Sequence, residues 1–301
     1  MLKFPLLSFV VTSYNYSKYI EDTLNSIIHQ TYKNIELIVV DDGSTDNSAE
    51  IIERFIQFNQ DMRISFVRHE TTLGQFSSMI DGLKLAQGVF VAFIDSDDIL
   101  SENYAEVHVR THLSMSTSFT TSQIIEIDEN NQIHTINSIY APNYQNNIEI
   151  KTLDDMLSIN PDKVEYKEIG KKKFGGWYWA PNSSAVYRKS AIDIMLNYKS
   201  PENWQVCPDK FLFNFAHLVG GSTMIEAPLL AYRRHLSNAG EDNYICGNKK
   251  YHSDKRFGIN VKNNIKIRPE TIKFIFENRQ IFKEKFGTRG YINMLLKVMF
   301  N

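Results

Sequence analysis

Cysteine is scarce in this chain. The two present, Cys207 and Cys246 in 301 residues, exclude a disulfide scaffold and any cysteine-rich zinc or iron–sulfur site, and they suit a reducing compartment. A surplus of one charge is missing as well. The 33 Lys+Arg nearly balance 35 Asp+Glu, for a formal net charge of −2, so the basic excess of a nucleic-acid binder is absent. The longest apolar runs, Phe4 to Val11 and Ile292 to Phe300, fall short of the roughly 18 residues of a bilayer helix. Lys3 and the run after it have the outline of a signal peptide, but no small-x-small cleavage site follows. A buried first strand is the expectation. There is no G-x-G-x-x-G after that strand, no G-x-x-x-x-G-K-[ST], no H-E-x-x-H and no G-x-S-x-G. These absences disfavour a dinucleotide oxidoreductase, a P-loop ATPase or kinase, a zinc protease and an α/β-hydrolase.

With 43% hydrophobic and 23% charged residues, the chain has an ordinary globular composition, and at this length it builds a core unaided. Strand and helix signals alternate through the first hundred residues. Leu6 to Thr12, Leu37 to Val40, Ile64 to Val67 and Val89 to Ile94 are short, mostly apolar runs that read as strands, and Leu37 to Val40 has the pattern of a strand covered on both faces. Between them, Ile20/Leu24/Ile27/Ile28, Ile51/Ile52/Phe55/Ile56 and Met79/Leu83/Ala86 recur at helical spacing, with Ser17 as the expected N-cap of the first helix. Right-handed βαβ crossovers follow, giving a mostly parallel sheet flanked by helices. Farther on, Thr152 to Ile159 and Phe211 to Leu218 read as helices, Ala185 to Arg188 and Leu229 to Arg233 as strands, and Ile272 to Phe300 as a helical tail.

Ligands of an open parallel sheet bind beyond the carboxyl ends of its strands. Here those ends carry Thr12-Ser13-Tyr14-Asn15, Asp41-Asp42-Gly43-Ser44 and Asp95-Ser96-Asp97-Asp98. Carboxylates converging on one edge repel each other unless a cation sits among them. Mg²⁺ or Mn²⁺ with oxygen ligands is the natural neutraliser, and it brings a diphosphate with it.

The stretch from Ser8 to Ser48 resembles the opening of family-2 glycosyltransferases of the GT-A fold. The similarity continues through Gly74-Gln75, Ala86-Gln87-Gly88, the DSDD segment and Tyr232-Arg233-Arg234-His235. It implies a GT-A-type, Rossmann-like α/β domain over residues 1–240. Residues 1–100 form its nucleotide-sugar half and 101–240 its acceptor half, and 241–301 is a helical extension outside the resemblance. It also implies inverting transfer from a nucleotide-diphospho-sugar, UDP-sugar favoured, to a saccharide or lipid-linked saccharide acceptor. By motif, Thr12, Tyr14, Asp42 and Arg68 surround the base and ribose, and Asp97 contacts the ribose. Asp95, Asp98 and His235 hold Mn²⁺ or Mg²⁺, and Arg233 and Arg234 meet phosphate charge. Asp209, where Pro208 replaces the usual Glu, is the expected catalytic base, with a helix cap as the competing role. Trp177 and Trp179 are candidate acceptor platforms, with core packing as the alternative. Many relatives carry Arg-Asn where this chain has Met79-Ile80.

Two other functions stay open at this point. A sugar nucleotidyltransferase would need a Gly-rich, cationic loop after the first strand, where Ser13 to Lys18 stands instead. A non-catalytic sugar-binding protein would have no use for the DSDD carboxylates and Asp209. The helical tail mixes Lys and Arg with Phe and Leu, which suits core packing, self-association or peripheral membrane contact. The expected location is the cytoplasm or the inner face of the cell membrane.

Overall fold

The computed structural model describes residues 4–136, 150–170, 174, 179, 181–201, 208–235, 243–246, 249–252 and 267–300. Its first half runs β1 (Leu7–Ser13), α1 (Ile20–Ile28), β2 (Ile35–Asp41), α2 (Ser48–Phe58), β3 (Ile64–Arg68), α3 (Gln75–Leu85) and β4 (Phe90–Asp95). There follow β5 (Ile99–Leu100), α4 (Tyr104–Ser114), β6 (Phe119–Ile127), β7 (Ile133–Ile136), α5 (Leu153–Leu157), β8 (Tyr166–Ile169), β9 (Ala185–Arg188) and α6 (Lys189–Ile192). Last come α7 (Asp209–Gly220), β10 (Ser222–Arg233), β11 (Asn243–Cys246), β12 (Lys249–His252), α8 (Ile267–Glu277) and α9 (Arg279–Phe300).

Among the described residues the main sheet has the strand order β3-β2-β1-β4-β9-β6-β10-β5, with β7 on β6 and β8 on β10. β3, β2, β1 and β4 are parallel neighbours, as the alternation of strand and helix signals requires. β9 runs antiparallel to both β4 and β6 and joins the two halves. Side chains alternate across the sheet. Leu7, Phe9 and Val11 pack with Ile20, Leu24, Ile52 and Phe55 of α1 and α2. Val10, Ile38 and Val40 face the other way, onto Phe76, Met79, Ile80 and Leu83 of α3. Met79 and Ile80 are therefore core residues here. Gly82 lets α3 approach closely, because a Cβ there would lie 2.2 Å from Val10 Cγ1.

Two local expectations need correction. Ser17 does not cap α1. Its N–H donates to Asp46 Oδ2 (3.0 Å), and the helix begins after Tyr19 with no side-chain cap. α4 and β6 carry no clear sequence signal, yet every residue of β6 is buried. The tail helices do pack on the core. Phe274, Ile275, Phe282, Tyr291, Met294 and Val298 are buried in the same cluster as Phe211 and Phe215 of α7.

Candidate active site

The loops after β1 and β2 are laced together. Asn15, held at φ 61°, accepts from the backbone N–H of Thr45 (2.8 Å) and Asp46 (3.3 Å) on its side-chain oxygen. Its own N–H donates to Ser44 Oγ (2.9 Å). Tyr16 N–H donates to Ser48 Oγ (3.0 Å). Beside these loops opens a cleft of about 410 Å³ lined by Gly43, Ser44, Thr45, Arg68, His69 and Glu70. Arg68 is half exposed there, with Nε 3.7 Å from Asp41 Oδ2. Thr12 lies between Val40 and Asp95 in the strand register, and Tyr14 is half-buried.

Asp42 has a different task from the one expected. Its Oδ1 accepts from His69 Nδ1 (2.8 Å) and Leu73 N–H (2.9 Å). Its Oδ2 accepts from Thr72 Oγ1 (2.7 Å) and Gly74 N–H (2.8 Å). Four protein donors fill both oxygens, so the carboxylate builds the 69–74 loop and has no lone pair to offer a base N–H. His69, which the sequence reading passed over, bridges onward to Asp81 of α3 (3.2 Å). Its signal was its place at a strand end, next to Arg68.

The acidic loop after β4 is mounted from β10. Arg233 N–H donates to Asp98 Oδ1 (3.1 Å), and Arg233 Nε donates to the Asp97 carbonyl (2.8 Å). The rest of its guanidinium reaches Asn131 Oδ1 (2.5 Å) and Asp22 Oδ2 (3.3 Å), and it lies 4.8 Å from the Tyr19 ring centroid. Arg234 pairs with Glu126 of β6 (3.1 Å), both side chains almost wholly buried. Both arginines are thus committed to the fold, which corrects their expected phosphate role. His235 stays at the site. Its Nε2 is 2.9 Å from Asp97 Oδ2, and its ring packs on Tyr19 and Tyr16.

Asp95 accepts from Gln75 Nε2 (2.7 Å) at the start of α3. Its carboxyl is pushed up to about 8, first by burial, then by Asp97 and Asp209. Burial, then Asp97 and Asp95, hold Asp98 well above the usual carboxylate range. Asp98 is fully buried, and its Oδ2 has no hydrogen-bond partner among the described residues. It sits beside Arg233 and Tyr104. The Tyr16 phenol, also missed in the sequence, is raised by burial and by the charges of Asp97, Asp95 and Asp98.

Asp209 opens α7. Its charge acts on Asp95 and on the buried Tyr187 phenol, so the expected base lies within electrostatic reach of the acidic loop. Burial raises Asp209 to about 6. Pro208, immediately before it, accepts the backbone N–H bonds of Phe211 and Leu212 (both 3.0 Å) on its carbonyl, while Asp209 Oδ1 accepts from Lys210 N–H (2.9 Å). Trp179 is packed in the core. It is 2% exposed, stacked on Phe213, with its indole N–H on Ser222 Oγ (3.1 Å). It is a core residue and not an acceptor platform. Trp177 lies outside the described residues.

No three His, Cys, Asp or Glu side chains among the described residues form a ready-made metal cage. The donor chemistry nevertheless fits a shared cation. Mg²⁺-type ions take one or two carboxylates plus substrate phosphates, and here Asp95, Asp97 and Asp98 crowd one another, the charge of Asp97 raising both of the others. That repulsion has a measurable cost. Above about pH 4 the unfolded chain releases protons that the folded protein keeps on Asp95, Asp98 and Asp209. Stability should therefore fall as pH rises through about 6 and on to about 8. Asp46, Asp128 and Asp155, whose carboxyls are lowered, titrate below this window. Melting curves in chelated buffer should show a decline on the order of 5 °C between pH 5 and 8. A flat or rising profile would mean that the carboxylates are not crowded in the folded protein.

The Glycosyl transferase family 2 model matches residues 8–193 of the chain. The chain belongs to glycosyl transferase family 2. It is 29% identical over 236 residues to the putative glycosyltransferase EpsH of Bacillus subtilis, covering 78% of this chain and 62% of that protein. It is 44% identical over 101 residues to glycosyltransferase GlyG of Streptococcus pneumoniae, covering 34% and 33%. The chain thus spans less than two thirds of these relatives. Among solved structures it resembles TarS 1-349 of S. aureus, at TM-score 0.54 and 15% identity, covering 97% of this chain and 70% of that one. The UDP-GlcNAc complex of TarS matches at TM-score 0.52 and 18% identity, covering 97% and 80%. At such identities the likeness establishes the GT-A fold.

Proposed function

We propose that the chain is an inverting, divalent-cation-dependent glycosyltransferase. It moves a sugar from a nucleotide-diphospho-sugar to an acceptor hydroxyl during synthesis of a surface polysaccharide, lipopolysaccharide or glycoconjugate. The supporting observation is the electrostatic reach of Asp209, at the start of α7, to Asp95, at the end of β4, both with raised carboxyl pKa values, in a chain of glycosyl transferase family 2. One acid serves the acceptor and the other the donor.

With its carboxyl near 6, Asp209 is ionised at neutral pH and still basic enough to take the acceptor's O–H proton as that oxygen attacks the anomeric carbon in line. The displaced group is the nucleoside diphosphate. Asp95, Asp98 and His235 would hold Mn²⁺ or Mg²⁺ against it, with Asp97 at the ribose, and the bound cation would offset the charge developing on the leaving diphosphate. Thr12, Tyr14 and Arg68 would border the nucleoside, with Asp42 keeping the adjoining 69–74 loop in place. UDP is the preferred nucleotide because TarS, which has this fold, was crystallised with UDP and UDP-GlcNAc.

A thermal-shift panel of UDP-, GDP- and dTDP-sugars with and without Mn²⁺, followed by assay of released nucleoside diphosphate, tests this reading. Stabilisation by a UDP-sugar only when Mn²⁺ is present, with UDP released on adding acceptor, is the expected result. Pyrophosphate formed from a nucleoside triphosphate and a sugar phosphate would assign a nucleotidyltransferase instead. A lack of any nucleotide affinity would leave a binding protein.

A further inference from the structure

We infer that the outer face of α9 docks on an anionic lipid surface. Beyond a kink at Gly287 (φ 71°), this helix is apolar on two sides. Tyr291, Met294 and Val298 are buried in the core. On the opposite side Ile292, Leu296 and Met299 are 47%, 47% and 49% exposed, and Phe300 beside them is 75% exposed. Spacings of four and three residues align these side chains in one stripe. A helix that merely covers a core carries polar residues on its outer face, so the second stripe calls for a partner. The stripe is also held in place, because Arg268 Nη1 at the start of α8 donates to the Met299 carbonyl (3.0 Å).

Charge selects the partner. From Lys285 to Phe300 the helix carries Lys285, Arg289 and Lys297 and no acidic residue. Lys285 is engaged by Asp193, whereas Arg289 and Lys297 are exposed at the edges of the stripe. A second copy would press like charges together on this face. An anionic bilayer complements it, with the apolar side chains entering the headgroup boundary and the two cations meeting lipid phosphates. No helix among the described residues is long and apolar enough to cross a membrane, so the contact is peripheral. This inference is independent of the reaction proposed above.

Co-sedimentation of the intact chain with phosphatidylcholine vesicles, with or without phosphatidylglycerol, tests it. Binding to the anionic vesicles should exceed binding to neutral ones by roughly tenfold and weaken as salt is raised. Leu296→Glu and the double variant Arg289→Glu/Lys297→Glu should each abolish it without changing the circular dichroism spectrum, since all three positions are exposed. Equal pelleting with both vesicle types, no pelleting, or unchanged pelleting of Leu296→Glu would overturn the inference. A dimer seen by light scattering and lost in Leu296→Glu would also overturn it, giving the stripe to a second copy.

Discussion

Asp209→Asn should lower the turnover of sugar transfer by about 10²- to 10⁴-fold, the usual contribution of a general base, and leave UDP-sugar affinity nearly unchanged. The amide keeps the shape of the side chain and its place at the start of α7 but removes the proton acceptor. The pH profile supplies a second signature. With the Asp209 carboxyl raised to about 6 by burial, wild-type activity should rise with pH through that value, because only the carboxylate accepts the proton. The residual activity of the variant should lose this limb. Isothermal titration with UDP, beside a rate measurement on the same preparation, separates the outcomes. Robust turnover by the variant, or a loss of binding matching the loss of rate, would remove Asp209 from the role of base and leave it as the first residue of a helix.

Arg234→Met is expected to act on stability and not on donor binding. The substitution strands Glu126, whose side chain is 3% exposed, as an unpaired buried charge. Breaking a buried pair from one side costs about 3–5 kcal/mol, or roughly 10 °C in a chain of this size. Removing the second charge as well, in Arg234→Met/Glu126→Leu, should recover most of the loss. UDP affinity of the folded variants should stay close to that of the wild type. A phosphate-binding arginine would give the reverse pattern, with a normal melting curve and a large loss of affinity. Thermal melts and titrations of the three proteins decide between them.

The contrast among Arg233, Arg234 and His235 shows where sequence reading stops. All three follow one another at the end of β10, and the family motif marks them alike. The structure turns Arg233 toward Asp97, Asn131 and Asp22, turns Arg234 toward Glu126, and leaves His235 on the Asp97 carboxylate. Their partners come from β6, the loop after β4 and α1, as many as 211 residues away in the chain. Nothing local announces them. Trp179 and Asp42 repeat the lesson, one drawn into an aromatic cluster and the other saturated by a distant loop.

The parallel core of β1 to β4 and the polar ends of those strands were legible from the chain alone. A strand covered on both faces must be continuously apolar, and its register delivers whatever follows it to one edge of the sheet. β6 was not legible, because Phe119–Ile127 buries Thr120, Thr121, Gln123 and Glu126 alongside its apolar residues. Ser184 on Thr121 and Arg234 on Glu126 satisfy part of that polar burial, whereas neither amide atom of Gln123 has a hydrogen-bond partner among the described residues. Composition and periodicity thus set the α/β class and the edge where chemistry gathers. Which of the gathered side chains remain available to a ligand was decided by tertiary packing, since a buried polar group is committed to whichever partner the fold brings within hydrogen-bond reach.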